Sequence, residues 1–159
     1  MRHKTKLLIS LALALAATTA TASTCGEEKC DVGEHATIHT SPAEPVAVCA
    51  TDALAAYSNF TLYLVATNAA STQQDTIDAN TVEANATGDS ADVAKRLRDA
   101  SGVASANAAL KACSQAKAGS DVVIVELSKK TNNAKVSGPN GEAPYWIPAE
   151  FLDRKAKDL

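Results

Sequence analysis

Aromatic side chains are scarce in this chain: of 159 residues, one is tryptophan, three are tyrosine and two are phenylalanine. That scarcity makes their placement informative, because three of the six fall in one late stretch, "APYWIPAEFLDRK" (143–155). Bases are missing over a long interval: between residues 23 and 94 the one base is Lys29, against 11 acids. An acidic chain of this kind has no electrostatic means of holding nucleic acid or an anionic membrane surface, so neither is expected as a partner. No apolar run is long enough to span a bilayer comfortably, so no transmembrane segment is expected. No nucleophile elbow, phosphate loop or H-E-x-x-H pattern occurs. Beyond residue 22 the histidines are His35 and His39, and nothing nominates a partner for either as a general base. No catalytic residue, cofactor or enzyme activity is assigned.

What is present begins with "MRHKTKLLISLALALAATTATAS". Arg2, His3, Lys4 and Lys6 precede an apolar run over 7–17, and small residues end in Ala20-Thr21-Ala22. Charged start, apolar middle and A-x-A site are the layout of a secretory signal peptide, which predicts a mature chain beginning at Ser23. Localisation is therefore expected to be periplasmic or secreted. A lipidated Cys25 is the other reading, but "ASTC" lacks the leucine and the small residue before cysteine that lipoprotein signals carry. Losing Arg2, Lys4 and Lys6 from the 15 bases leaves 12 against 18 acids. The acids dominate 23–94 and the bases 95–159, which reads as two solvated faces of one modest domain.

Four cysteines remain, Cys25, Cys30, Cys49 and Cys113, an even number that suggests two disulfides in an oxidising compartment, with three connectivities open. Cys25 and Cys30 bracket the polar "GEEK" and can close locally, which leaves Cys49 to pair with Cys113. The spacing Cys25, Cys30, His35, His39 offers a weaker alternative, two thiolates and two imidazoles around a metal ion. It is looser than a zinc finger, and oxidation would remove its thiolates, so no metal site is assigned.

Residues 23–36 are polar and acidic and read as a leader pinned by one disulfide. Val46 and Val48 fit a short strand after Pro42 and Pro45. Asp52 is a candidate N-cap for a helix over "ALAAYSNFTLYLVATNAAS", although "FTLYLV" also has strand character. Residues 69–90, rich in Thr, Asn, Ala and Asp, predict a surface loop or frayed helix tail, with 69–89 the most mobile part of the chain after the leader. Two short helices follow, one with Val93 and Leu97 inward and stopping at Gly102, the other with Leu110 and Cys113 on one side, ending at Gly119. After Gly119 the pattern is β: "DVVIVEL", "AKVSG" and "PYWI" are strands separated by polar turns, and Pro148 stops the third. Two N-x-S/T sequons begin at Asn59 and Asn85, but the bacterial character of the signal peptide argues against glycosylation.

Gly119, "DVVIVEL", "AKV", "YWIP" and "EFL" together resemble the C-terminal half of a bacterial SH3-like domain. In that family a tryptophan-bearing strand runs into a proline, a single 3₁₀ turn and a last strand. The resemblance covers roughly 36–49 and 119–152 and implies an α+β fold: a small SH3-like antiparallel β-barrel with an inserted helical segment. "PVAVC" would be its first strand, residues 37–152 one domain, 51–118 the helical insertion and 153–159 a C-terminal tail. A Cys49–Cys113 disulfide would then clamp the two necks of the insertion, and Cys25–Cys30 would lie outside the core. The first strand carries no aromatic cluster of the kind proline-recognising members use. Tyr145 and Trp146 would point to opposite faces of one strand. The aromatics would then plug the barrel or, with Pro148, form a binding surface. The function implied is a non-enzymatic binding module with a protein or cell-envelope partner; the alternative is an inhibitor or immunity-type protein that binds a partner enzyme.

Overall fold

A computed structural model of the chain describes residues 23–72 and 77–155. The signal-like segment 1–22, residues 73–76 within the expected loop, and 156–159 of the expected tail lie outside the described residues. The fold is α+β, and the described residues form a five-stranded antiparallel sheet, a two-stranded ribbon and four helices. The strands are β1 (His35–Ile38), β2 (Ala47–Val48), β3 (Ser114–Gln115), β4 (Asp121–Leu127), β5 (Asn133–Ser137), β6 (Tyr145–Pro148) and β7 (Leu152–Arg154). The helices α1 (Asp52–Thr72), α2 (Ala79–Ala84), α3 (Asp89–Ser101) and α4 (Ala106–Ala112) all fall between β2 and β3. The main sheet runs in the order β6-β5-β4-β1-β7, so β4, β5 and β6 form a meander and β7 returns beside β1. A 3₁₀ turn, Ala149–Phe151, makes the return possible by reversing the chain after Pro148. The expected last strand "EFL" is thus mostly this turn, and the strand proper runs on into the expected tail as far as Arg154.

Two-residue alternation explains the sheet. Ala36 and Ile38 of β1, Val122 and Ile124 of β4, and Ala134 and Val136 of β5 are all 0–1 % exposed. With Ile147 and Leu152 they form one cluster, each larger aliphatic contributing roughly 1.5–3 kcal/mol by leaving water. Val125 faces outward by the same alternation and is 43 % exposed, while a shift of register between Ile124 and Glu126 leaves Glu126 outward and packs Leu127 against the cluster. The helices have a separate cluster built on Leu54, Ala55, Tyr57, Ala79, Ala106 and Ala109. Small side chains let α1 approach its neighbours closely.

The structure corrects several sequence-based expectations. "PVAVC" does not enter the main sheet; β1 takes the place expected for it. The Asn59 side chain occupies both backbone groups of Ala47, accepting from its N–H and donating to its carbonyl, each at 2.9 Å. On its other edge β2 pairs with β3. The ribbon reaches the main sheet through a single bridge between Cys49 and Trp146. Residues 69–90 are not a loop throughout. α1 continues to Thr72, and α2 buries Ala79 and Val82, capped by Asp78 accepting from the Thr81 N–H at 2.9 Å. Asp52 does not cap α1. Thr51 does, its hydroxyl accepting from Leu54 N–H and its carbonyl from Ala55 N–H. α3 stops where expected, at Gly102 with φ 72°. α4 ends earlier than expected, at Ala112, because Cys113 is already extended.

The leader is part of the domain. Cys25 N–H donates to Leu152 carbonyl at 2.8 Å, and Arg154 N–H to Ser23 carbonyl at 3.1 Å, extending the sheet beyond β7. Arg154 also bridges Glu28 and Glu34, each at 3.0 Å. The Cys25–Cys30 disulfide is not outside the core: Cys30 is 1 % exposed and both sulfurs pack in the sheet's cluster. Gly26 lies so close to the 3₁₀ turn that an added Cβ would stand 2.8 Å from Glu150 Cα. Gly26→Ala should therefore destabilise by about 1–3 kcal/mol, because backbone rather than a flexible side-chain end must move. An unchanged thermal midpoint would show that this contact carries no strain.

Candidate functional site

After Asp52, α1 holds no charged residue as far as Thr72. A helix apolar on all sides is normally enclosed. Here one side is enclosed, with Leu54, Ala55, Tyr57, Ser58 and Thr61 buried, and the other is not. Tyr63 is 62 % exposed and its ring centroid lies 6.1 Å from that of Phe60. Facing this open side are the Ser41–Glu44 turn, Pro45, Pro148, and Glu150 and Phe151 of the 3₁₀ turn. Between them runs a groove of about 840 Å³ with mostly apolar walls. It lies where the helical insertion meets one end of the sheet.

The walls are held by hydrogen bonds that use up most of their amides. Asn59 makes its two bonds to Ala47 and donates a third to Ala55 carbonyl at 2.9 Å. Asn133 amide donates to Asp52 Oδ1 at 2.8 Å and to Asp52 carbonyl at 3.0 Å. Ser128 and Thr131 hydroxyls also donate to the Asp52 carboxylate. The start of α1 is thereby tied to the turn between β4 and β5. Asn132 donates to Glu150 Oε2 at 3.0 Å, and its carbonyl accepts from Ala149 N–H at 2.8 Å, which fixes the 3₁₀ turn against the same turn.

A second polar cluster lies among the helices. Tyr57 hydroxyl donates to Glu83 Oε2 at 2.7 Å, and Arg98 donates to Glu83 Oε1 at 3.0 Å. Tyr57 is fully buried, so its phenol meets no solute; it braces α1 against α2 and α3. Burial, then the hydrogen bond to Glu83, pushes its pKa well above the ordinary 10.0. A folded-state value above the unfolded one means the stabilisation is complete below pH 10 and drains away as pH rises past it. Tyr57→Phe should cost about 1 kcal/mol at neutral pH and flatten the alkaline fall. Urea midpoints of both proteins at neutral pH and above pH 10 measure this; parallel alkaline losses would contradict it.

The residues singled out in the sequence are dispersed. Pro148 lines the groove. Trp146 is 8 % exposed and packs in the helical cluster, with Lys135 Nζ 5.9 Å from its ring, so it closes the insertion onto β6 rather than filling the sheet's interior. Tyr145 is half-buried on the other cluster, and burial raises its phenol pKa, with Glu142 adding to the effect. The three do not share one surface. Cys25 and Cys30 are joined in one disulfide, and Cys49 and Cys113 in the other. His35 is exposed, while His39 Nδ1 stands 2.9 Å from Asp153 Oδ1. Among the described residues no group of three or more His, Cys, Asp or Glu is placed to hold a metal ion.

Sequence reasoning missed Phe60, Tyr63, Glu44, Glu150 and Phe151 as groove residues. The charge-free run of α1 was a signal for Phe60 and Tyr63 alone; Glu44, Glu150 and Phe151 lie outside that helix and carried no local signal. Two disulfides fit an exported or otherwise oxidising compartment. Among the described residues no helix is long and apolar enough to cross a membrane. No protein-family model, no curated protein and no solved structure matches this chain.

Proposed function

We propose that this chain is an exported, non-enzymatic binding module of the bacterial cell envelope, built on an SH3-like sheet with a helical insertion. The observation that carries this reading is the groove between α1 and the 3₁₀ turn, with its exposed aromatic rim. The strand order and the 3₁₀ turn before β7 support the SH3-like part, since they reproduce the order of events the sequence resembles. Export rests on the basic, apolar and A-x-A layout of 1–22, and the mature form is periplasmic or secreted.

Two measurements test it. The intact mass of the exported form should correspond to a start at Ser23; a lipidated Cys25 would overturn the soluble form. A photo-crosslinking side chain at Tyr63, in cells, should give a discrete adduct with an envelope component. The same side chain at Asp89, exposed at the start of α3 and outside the groove, should not. Adducts at neither position, or identical adducts at both, would remove the groove from the function.

A further inference from the structure

We propose that the groove takes an extended segment of a partner protein that presents a bulky apolar side chain flanked by lysine or arginine. This rests on reading the chain as a binding module and adds the class of ligand. The floor is aliphatic and aromatic, from Phe60, Ala66, Leu97 and Phe151. The ionisable groups on its walls, apart from the Tyr63 phenol, are two carboxylates, Glu44 and Glu150, with no lysine or arginine among the lining residues. Neither is neutralised from within: Glu44 has no side-chain partner among the described residues, and Glu150 accepts only the neutral amide of Asn132. Lys129 and Lys130, in the nearby turn, lie outside the walls. An apolar trough bordered by two carboxylates that pair with no base among the described residues attracts a ligand carrying both apolar surface and positive charge.

The hydrogen-bonding state of the walls decides between ligand classes. A sugar needs many free donors and acceptors, but the amides of Asn59 and Asn133 already hold the fold together and that of Asn132 holds Glu150. A nucleic acid or other polyanion would bring its charge against Glu44 and Glu150. An apolar side chain asks nothing of the occupied amides, and a base nearby meets a carboxylate that has no other cation among the described residues.

The test is a selection from a displayed library of random twelve-residue peptides on the oxidised protein, residues 23–159. Ala66→Trp, at an exposed position of α1, fills the groove, and the double variant Glu44→Gln/Glu150→Gln removes its charge while keeping acceptors; thermal melts of both check folding. Enriched peptides should combine Leu, Ile, Phe or Trp with adjacent Lys or Arg and should lose binding to Ala66→Trp. They should bind the double variant about tenfold more weakly and with less salt dependence. Enriched peptides that are sensitive to Ala66→Trp but lack bases, or bind the double variant equally well, would overturn the cationic class and leave the groove as a binding site. No enrichment, or enrichment indifferent to Ala66→Trp, would overturn the groove reading itself.

Discussion

Replacing Cys49 and Cys113 together with serine is expected to lower the free energy of unfolding by roughly 4 kcal/mol, the chain-entropy value for a loop of about 65 residues. The bond spans 64 positions, and the described residues between hold α1 to α4 and the turns that join them. Without it, the unfolded chain regains the freedom to separate the ends of the insertion. The folded state also keeps two hydroxyls where sulfur stood, and Cys49 is 3 % exposed. Against a total stability of about 5–15 kcal/mol for an ordinary domain, the loss is large enough to populate partly unfolded forms. The comparison with Cys25→Ser/Cys30→Ser is informative. Sequence reasoning placed that short loop outside the core, at little cost. Its loop entropy is indeed smaller, about 2 kcal/mol. But Cys25 and Cys30 are 6 % and 1 % exposed in the sheet's cluster, so two buried hydroxyls add to the loss. The two double variants should therefore lie closer together than loop length alone dictates. Denaturant midpoints and slopes of the native protein and both variants measure this. A Cys25/Cys30 variant as stable as the native protein would show that the leader does not pack as described.

Asp52→Ala is expected to cost about 3 kcal/mol, because one change leaves several donors without an acceptor. Ser128, Thr131 and Asn133 all point at this carboxylate, and Asn133 is 5 % exposed, so its amide cannot turn to water. Asp52→Asn should fall between the native protein and Asp52→Ala, since it keeps one acceptor but brings an amide donor against others. A double-mutant cycle with Thr131→Val should show coupling, because the two groups share a bond. Additive losses would mean that Asp52 acts only through the first turn of α1. Asn133 and the neighbouring Asn132 line the groove, so these variants should also lower affinity for any ligand found there.

The sequence by itself determined the elements whose pattern is local. Strands β4, β5 and β6 were legible because β-branched residues and polar turns follow one another over short distances. Gly102 as the end of α3 was legible because a left-handed C-cap needs only glycine at one place. The mixed α+β class followed from alanine-rich helical spacing ahead of a β-rich end. Tertiary structure alone decided what depends on partners remote in sequence. Thr51 rather than Asp52 caps α1 because the carboxylate finds better-placed donors 76 to 81 residues away. β1 rather than "PVAVC" enters the sheet because Ala36 and Ile38 have Val122 and Leu152 to pack against, while Asn59 occupies the backbone of Ala47. Trp146 closes the helical insertion because β6 carries a different cluster on each face, and no single-strand pattern tells which face meets which cluster. The groove is the extreme case. Glu44, Phe60 and Glu150 are ordinary residues in their own neighbourhoods, and they become one surface only when a helix, a turn and the end of a sheet pack together.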